Sequence, residues 1–354
     1  MHSLTFERIL TKHTLSLWAV CLVALSLAFT PVAEARTVLK VASLAPEGSV
    51  WDNILRDMGA EWQEATDGEV NLRMYAGGIA GDETDVVRKM RIGQLHGAAL
   101  SVGGLSYIDE SFEVFEIPMF FDSYEELYHV LETLRPQFEA RLKAKGYVLL
   151  HWGQGGWVHF FSKEPIVTVE NLQKQKVFVG AGNDEMVQLW RQNGFQPVAL
   201  SATDILTGLE TGMIEALPTT PLAALSLQWF RQTQYMQGLG LAPLVGATVI
   251  SERAWKRLSP EVQKTLLDSA RQTEKQLMEE IPGQDAQAVE EMKKKGIAVT
   301  EVSEEAAAEW REAAQAFIDF KRKGMESKDI LDLVLKERDA FRAQQGAGQA
   351  AAGQ

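Results

Sequence analysis

Two rhythms of apolar residues take turns along this chain. Val177 and Val179 face one side of a short strand, and a Gly-Ala-Gly turn at 180–182 hands it to a helix. On that helix Met186, Leu189 and Trp190 recur at helical spacing, and Gly194 fits its C-cap. Pro197 to Leu200 reads as a short strand, Ser201 or Thr203 as the cap of a helix ending near Gly212, and 216–221 as a last strand running into a Pro-bounded loop. The N-terminal half repeats this order. Thr37 to Ser43 alternates as a strand, Trp51, Ile54, Leu55, Met58 and Trp62 fall on one helical face, and Val70 to Tyr75 is a second strand. A helix over 83–92 and a short strand ending at Ser101 follow. Strands alternating with helices predict an α/β fold with crossover connections.

The middle and C-terminal parts are patterned differently. Residues 146–161, GYVLLHWGQGGWVHFF, read as a strand, a Gly-rich turn and a second strand. A strand over 244–251 leads into helical segments at 251–270, 262–295 and 304–342, the last two strongly charged on one face. The Gly/Ala/Gln-rich end, 343–354, reads as disordered.

Composition narrows the class. A chain of 354 residues is long for one ordinary domain and suits two. A net charge of −13 makes nucleic acid and anionic membrane surfaces poor partners. Residues 1–35 carry a basic start (Arg8, Lys12), an uncharged apolar run and Ala33-Glu34-Ala35, the pattern of a cleaved secretory signal. The only cysteine, Cys21, lies inside that run, so cysteine ligands, cysteine nucleophiles and disulfides are not expected in the mature chain.

Four segments carry a family resemblance. Lys176-Val177-Phe178-Val179, Gly194-Phe195-Gln196-Pro197-Val198, the 203–215 helix-Gly-strand run and the 251–270 segment SERAWKRLSPEVQKTLLDSA resemble the extracytoplasmic solute-binding proteins of TRAP transporters, the DctP type. The resemblance covers about 37–340. It implies a two-lobed periplasmic solute-binding fold with a central cleft and discontinuous lobes. The expected first lobe is 36–155 with 245–283, and the second is 156–244 with 284–342. It also implies that 228–237 is helical, and that the partners are a small-molecule ligand and TRAP membrane permease subunits. The protein is expected to act in the periplasm as a monomer, without cofactor or metal.

One departure from the family pattern concerns the ligand. The family sets an arginine on the central strand, and Phe178 stands there; a second frequent arginine follows the Gly-aromatic pair, and Val158 stands there. Arginine grips a carboxylate through two parallel bonds, a geometry no other side chain reproduces. Open α/β sheets bind at the carboxyl ends of their strands. The candidate ligand-binding set is therefore Trp51, Ser101, Trp157, Val158 and Phe178, the turn Gly180, Ala181 and Gly182, and Thr219 and Thr220 in place of the family's Asn-bearing loop. Such a lining suits an apolar or amphipathic ligand, since a carboxylate buried without a cation is costly.

Other readings are weaker. Each aromatic residue taken singly fits core packing equally well, and Glu290-Glu291 and Glu304-Glu305 read as solvated helix faces. His151 and His159 lack a third residue to complete a metal set. No G-x-S-x-G, Ser-His-Asp spacing or phosphate-loop sequence supports an enzyme. The alternatives are an organic-acid receptor with other anchors, such as Arg73, Arg191 or His159, and a carrier of hydrophobic molecules that needs no permease.

Overall fold

Among the described residues, β-branched and aliphatic side chains set ten strands, and the helices between them bury their apolar sides. The computed structural model describes residues 36–182, 184–324 and 327–352; the predicted signal segment lies outside them. In chain order the first elements are β1 (Thr37–Ser43), α1 (Val50–Ala65), β2 (Val70–Tyr75), α2 (Glu83–Arg91), β3 (Gly97–Ser101) and α3 (Val102–Ser106). Then come α4 (Tyr124–Thr133), α5 (Arg135–Ala144), β4 (Tyr147–Ser162), α6 (Val169–Gln173), β5 (Lys176–Gly180), α7 (Asp184–Gln192) and β6 (Gln196–Leu200). After these lie α8 (Ile205–Glu210), β7 (Ala216–Thr219), α9 (Pro221–Ser226), β8 (Tyr235–Gln237) and β9 (Ala242–Ser251). The chain finishes with α10 (Glu252–Trp255), α11 (Pro260–Lys294), β10 (Ala298–Thr300), α12 (Glu304–Gly324) and α13 (Lys328–Ala352).

The main strands follow the order β2-β1-β3-β9-β4-β7-β5-β6. β1–β3 and β5–β6 are parallel, as crossover helices require, whereas β9 runs antiparallel to both β3 and β4. Strand β4 belongs to both halves. Tyr147 to Val158 pair with β9, and His159 to Ser162 pair with β7. One strand thus carries the chain from one lobe to the other.

Here the sequence pattern misleads. The Gly-rich stretch at 153–156 is a bulge within one continuous strand, not a reversal between two. The register with β9 slips between Gln154 and Trp157. Gly156 takes φ +106°, and a Cβ there would lie 2.5 Å from the Asp285 carboxylate. That carboxylate accepts from the Trp157 amide at 2.9 Å and from the Leu222 amide at 2.9 Å. The bulge is therefore held from α11, and only glycine fits beneath its anchor.

Three further expectations change. The expected helix at 228–237 is a single 3₁₀ turn, Trp229–Arg231, followed by β8; Gln228 at φ 58° turns the chain out of the helical region first. The tail expected to be disordered is helical to Ala352, because Ala and Gln propagate a helix already started by α13. Residues 328–342, expected with the second lobe, pack on the first. Ile330, Leu331 and Val334 join the core of Phe112, Leu127 and Phe138, and Arg338 stacks over Phe120 at 4.4 Å. The expected lobe boundary at 283/284 falls inside the single helix α11, just past Pro282.

Each lobe has its own core. In the first, Trp152 is 1% exposed and meets Phe138 edge-on at 5.6 Å, with Phe112 at 6.0 Å. Losing an aromatic of this kind to alanine costs roughly 3–5 kcal/mol. In the second, Phe161, Leu209, Ile214 and Leu217 are fully buried. Two cores joined by β4 and β9 leave a cleft between them.

Candidate ligand-binding cleft

The carboxyl ends of β3 and β5 meet across this cleft and enclose a cavity of about 410 Å³. From the first lobe come Ser101 at the end of β3, Glu83 at the start of α2, and Tyr107 after α3. The second lobe gives Val158 from β4, and Phe178, Gly180 and Ala181 from β5. The far end is aromatic, with Trp190, Phe195, Trp310 and Phe317. The lining holds no arginine, lysine or histidine among the described residues; its charged members are Asp82, Glu83 and Glu116.

These acids are engaged with the protein itself. Glu83 accepts from the Ser101 amide at 2.6 Å and the Ser101 hydroxyl at 2.6 Å. Burial pushes its pKa up, and those hydrogen bonds pull it back. Asp82 caps α2 by accepting from the Glu83 amide at 2.8 Å. Its other oxygen reaches the second lobe, accepting from the Ser201 hydroxyl and from the Ala202 amide at 3.3 Å. Tyr107 also crosses, donating to the Ala181 carbonyl at 2.7 Å. Burial, with the acids nearby, lifts the Tyr107 pKa to about 12, so it stays a donor at physiological pH.

The sequence-predicted residues divide. Ser101, Val158, Phe178, Gly180 and Ala181 come together in this cavity. Phe178 is half-buried and packs on the second-lobe core as well. Gly182 stands just outside, where a Cβ would approach the Tyr107 hydroxyl to 3.2 Å. Trp51 lines a neighbouring chamber instead and donates its indole N–H to the Gln154 carbonyl at 3.1 Å.

Trp157, Thr219 and Thr220 do not line the cavity. Successive side chains of a strand face opposite ways, so Val158 facing the cavity sends Trp157 to the other face, where it packs on the first-lobe core edge-on to Tyr124 at 5.1 Å. Thr219 is buried opposite His159 in the β4–β7 ladder. Thr220 caps α9 through the Ala223 amide at 3.2 Å. The alternative anchors are elsewhere too. Arg73 stacks on Tyr75 at 5.4 Å, Arg191 is exposed on α7, and His159 is tied to the Gln237 carbonyl at 2.9 Å. Glu83, Tyr107, Trp190 and Trp310 were not singled out for the site. Only Asp82-Glu83, a capping pair opening a helix, left a local trace in the sequence.

Two lobes joined by crossing strands, with one cavity at the carboxyl ends of strands from both, define a small-molecule receptor. The chain belongs to bacterial extracellular solute-binding protein family 7, DctP, which matches residues 41–323. It is a TRAP-type extracytoplasmic solute-binding protein; such proteins bind small ligands and work with membrane permease subunits. Among relatives, the sialic acid-binding periplasmic protein SiaP of Vibrio cholerae is 21% identical over 78% of this chain and 86% of its own. The 2,3-diketo-L-gulonate-binding periplasmic protein YiaO of Escherichia coli is 22% identical over 67% of this chain and 73% of its own. A TRAP solute-binding protein of Haemophilus influenzae with bound L-gulonate superposes with TM-score 0.80 at 18% identity, covering 86% of this chain and 100% of that one. One of Sulfitobacter with bound β-D-galacturonate gives 0.78 at 19% identity, covering 85% and 100%. These relatives bind sugar acids, and the likeness to this chain is one of fold.

Proposed function

We propose that this chain is the periplasmic receptor of a TRAP-type transporter for an apolar or amphipathic small molecule. The observation that carries the reading is the absence of any cationic side chain from the described lining of the 410 Å³ cavity. The sugar acids held by its relatives carry a carboxylate, and here a carboxylate would meet Glu83, Asp82 and Glu116 with no partner of opposite sign. Desolvating such a charge costs several kcal/mol. Covering the aromatic end instead releases roughly 25 cal/mol for each Å² of apolar surface removed from water.

In this reading the chain is exported by its N-terminal signal and works as a monomer. Ligand binding draws the lobes together about β4 and β9, near 155/156 and 244/245, and Asp82–Ser201 and Tyr107–Ala181 hold them closed. The closed surface is what the permease recognises. The test is native mass spectrometry of protein purified from periplasm, with the released ligand identified after denaturation. A hydrocarbon-rich neutral or amphipathic compound is expected; a uronic acid, aldonic acid or short dicarboxylate would overturn the reading.

A further inference from the structure

A second chamber, of about 240 Å³, adjoins the cleft. Its floor is the crossing strands β4 and β9, and Trp51 of α1 and Leu277 of α11 wall it. It shares Leu44, Glu83, Ser101, Leu244 and Val245 with the main cavity, so the two spaces meet behind Ser101. Two of its lining side chains, His151 and Thr248, are polar and more than nine-tenths buried, and each has an atom without a hydrogen-bond partner: His151 Nε2 and Thr248 Oγ1. They are cross-strand partners and share one face of the sheet, whereas Gln154, three residues along β4, points to the other face, where its oxygen meets Tyr128.

Unpaired polar atoms this deeply buried are rare because each weakens the fold. Two of them side by side on one chamber wall form a pair with a definite hydrogen-bonding character. The Nδ1 of His151 lies 2.9 Å from the Trp152 carbonyl and donates there, which leaves Nε2 as an acceptor. Burial keeps that ring neutral. Thr248 both gives and accepts.

We propose that this chamber receives the uncharged, hydrogen-bonding head of the ligand, a primary amide or hydroxyl, while the ligand's apolar body occupies the main cavity. This rests on the apolar-ligand reading above and names the ligand's other end. A carboxylate has acceptors only; it would leave His151 Nε2 unpaired and sit beside Glu83. An ammonium would give up its water for two neutral partners, since the Glu83 carboxylate is already engaged by Ser101. A neutral head that both donates and accepts satisfies the two residues.

The test is calorimetric titration of the full mature protein with octanamide, octanoate and octylammonium, repeated on Thr248→Val and His151→Phe. Octanamide is expected to bind at least ten times more tightly than either ion. Thr248→Val should cost octanamide roughly five-fold, the worth of one net hydrogen bond. It should leave octanoate and octylammonium unchanged, and the unliganded protein's melting temperature unchanged or raised, because an orphaned hydroxyl is removed. His151→Phe, which removes the acceptor Nε2, gives an independent reading should Thr248→Val fold poorly. If all three heads bind alike, or neither substitution affects octanamide, the chamber holds ordered water only and the proposal falls while the apolar-cavity reading stands. If none of the three binds, both fall.

Discussion

The hydroxyl of Tyr107, on the first lobe, donates to the carbonyl of Ala181, on the second, across 2.7 Å. Beside it the Asp82 carboxylate accepts from Ser201 and Ala202. These bonds join the lobes along the lining of the cavity. They are formed only when the lobes meet, so their energy counts toward closure and not toward the stability of either lobe. Tyr107→Phe is expected to weaken ligand binding by roughly two- to ten-fold, the range of one net hydrogen bond, mostly through faster release. The melting temperature of the unliganded protein should stay within a degree or two. Stopped-flow release and thermal melts check both; a large drop in unliganded stability with unchanged release would mean that the bond is structural.

Phe178→Arg places a cation between the second-lobe core and a lining that is otherwise aromatic and aliphatic. The guanidinium gains the nearby acids but loses the ring's packing. Affinity for an apolar ligand is expected to fall roughly five- to 150-fold, since removing a partly buried aromatic surface costs about 1–3 kcal/mol. Acid binding should appear only in the millimolar range, because Val158 still stands where the family has its other arginine. Calorimetry with one apolar and one acidic ligand on both proteins checks this.

Two buried groups are expected to give the fold opposite responses to pH. Burial raises Asp285 from its ordinary 3.8 to about 6, although the Trp157 and Leu222 amides oppose this. The native protein therefore keeps a proton that the unfolded chain releases. The stability from this group is fully present below about pH 4 and lost as pH rises through 6. Burial lowers His151 from 6.5 to about 4, so its contribution is present above 6.5 and lost as pH falls through 4. Each is worth on the order of 3 kcal/mol across this window. Relative to the unmutated protein, Asp285→Asn should make stability fall more steeply on acidification, and His151→Gln should make it fall less. Urea melts of the three proteins between pH 4 and 7 measure the slopes.

Much of the architecture was legible because local periodicity is set by burial on one face. The 37–101 and 176–219 runs alternate cleanly, and their strands and helices stand where the pattern places them. Strand β4 was not legible. Its glycines read as a reversal, and only Asp285, 128 residues beyond Trp157, makes them a bulge. The same error put Trp157 in the site, since in a strand Val158 and Trp157 face opposite ways. Val158 and Phe178 were visible through resemblance to a family motif. Glu83, Tyr107 and Trp310 were not, because their nearness to Phe178 depends on how the lobes and α12 pack. The fate of α13 was hidden for the same reason: its apolar stripe fits either lobe, and the sequence does not say which.

The central claim is that this receptor's cavity, lacking a cation, rejects the acids its relatives hold. The most direct measurement is isothermal titration of the mature protein with D-galacturonate, L-gulonate and succinate at pH 7 and low salt, where any attraction to a carboxylate is strongest. The account predicts no saturable heat below millimolar concentration, a loss of at least a hundred-fold for a buried carboxylate without its ion pair. Micromolar binding of any of the three would contradict it, and would mean that backbone amides such as those of 180–182 hold the acid unaided.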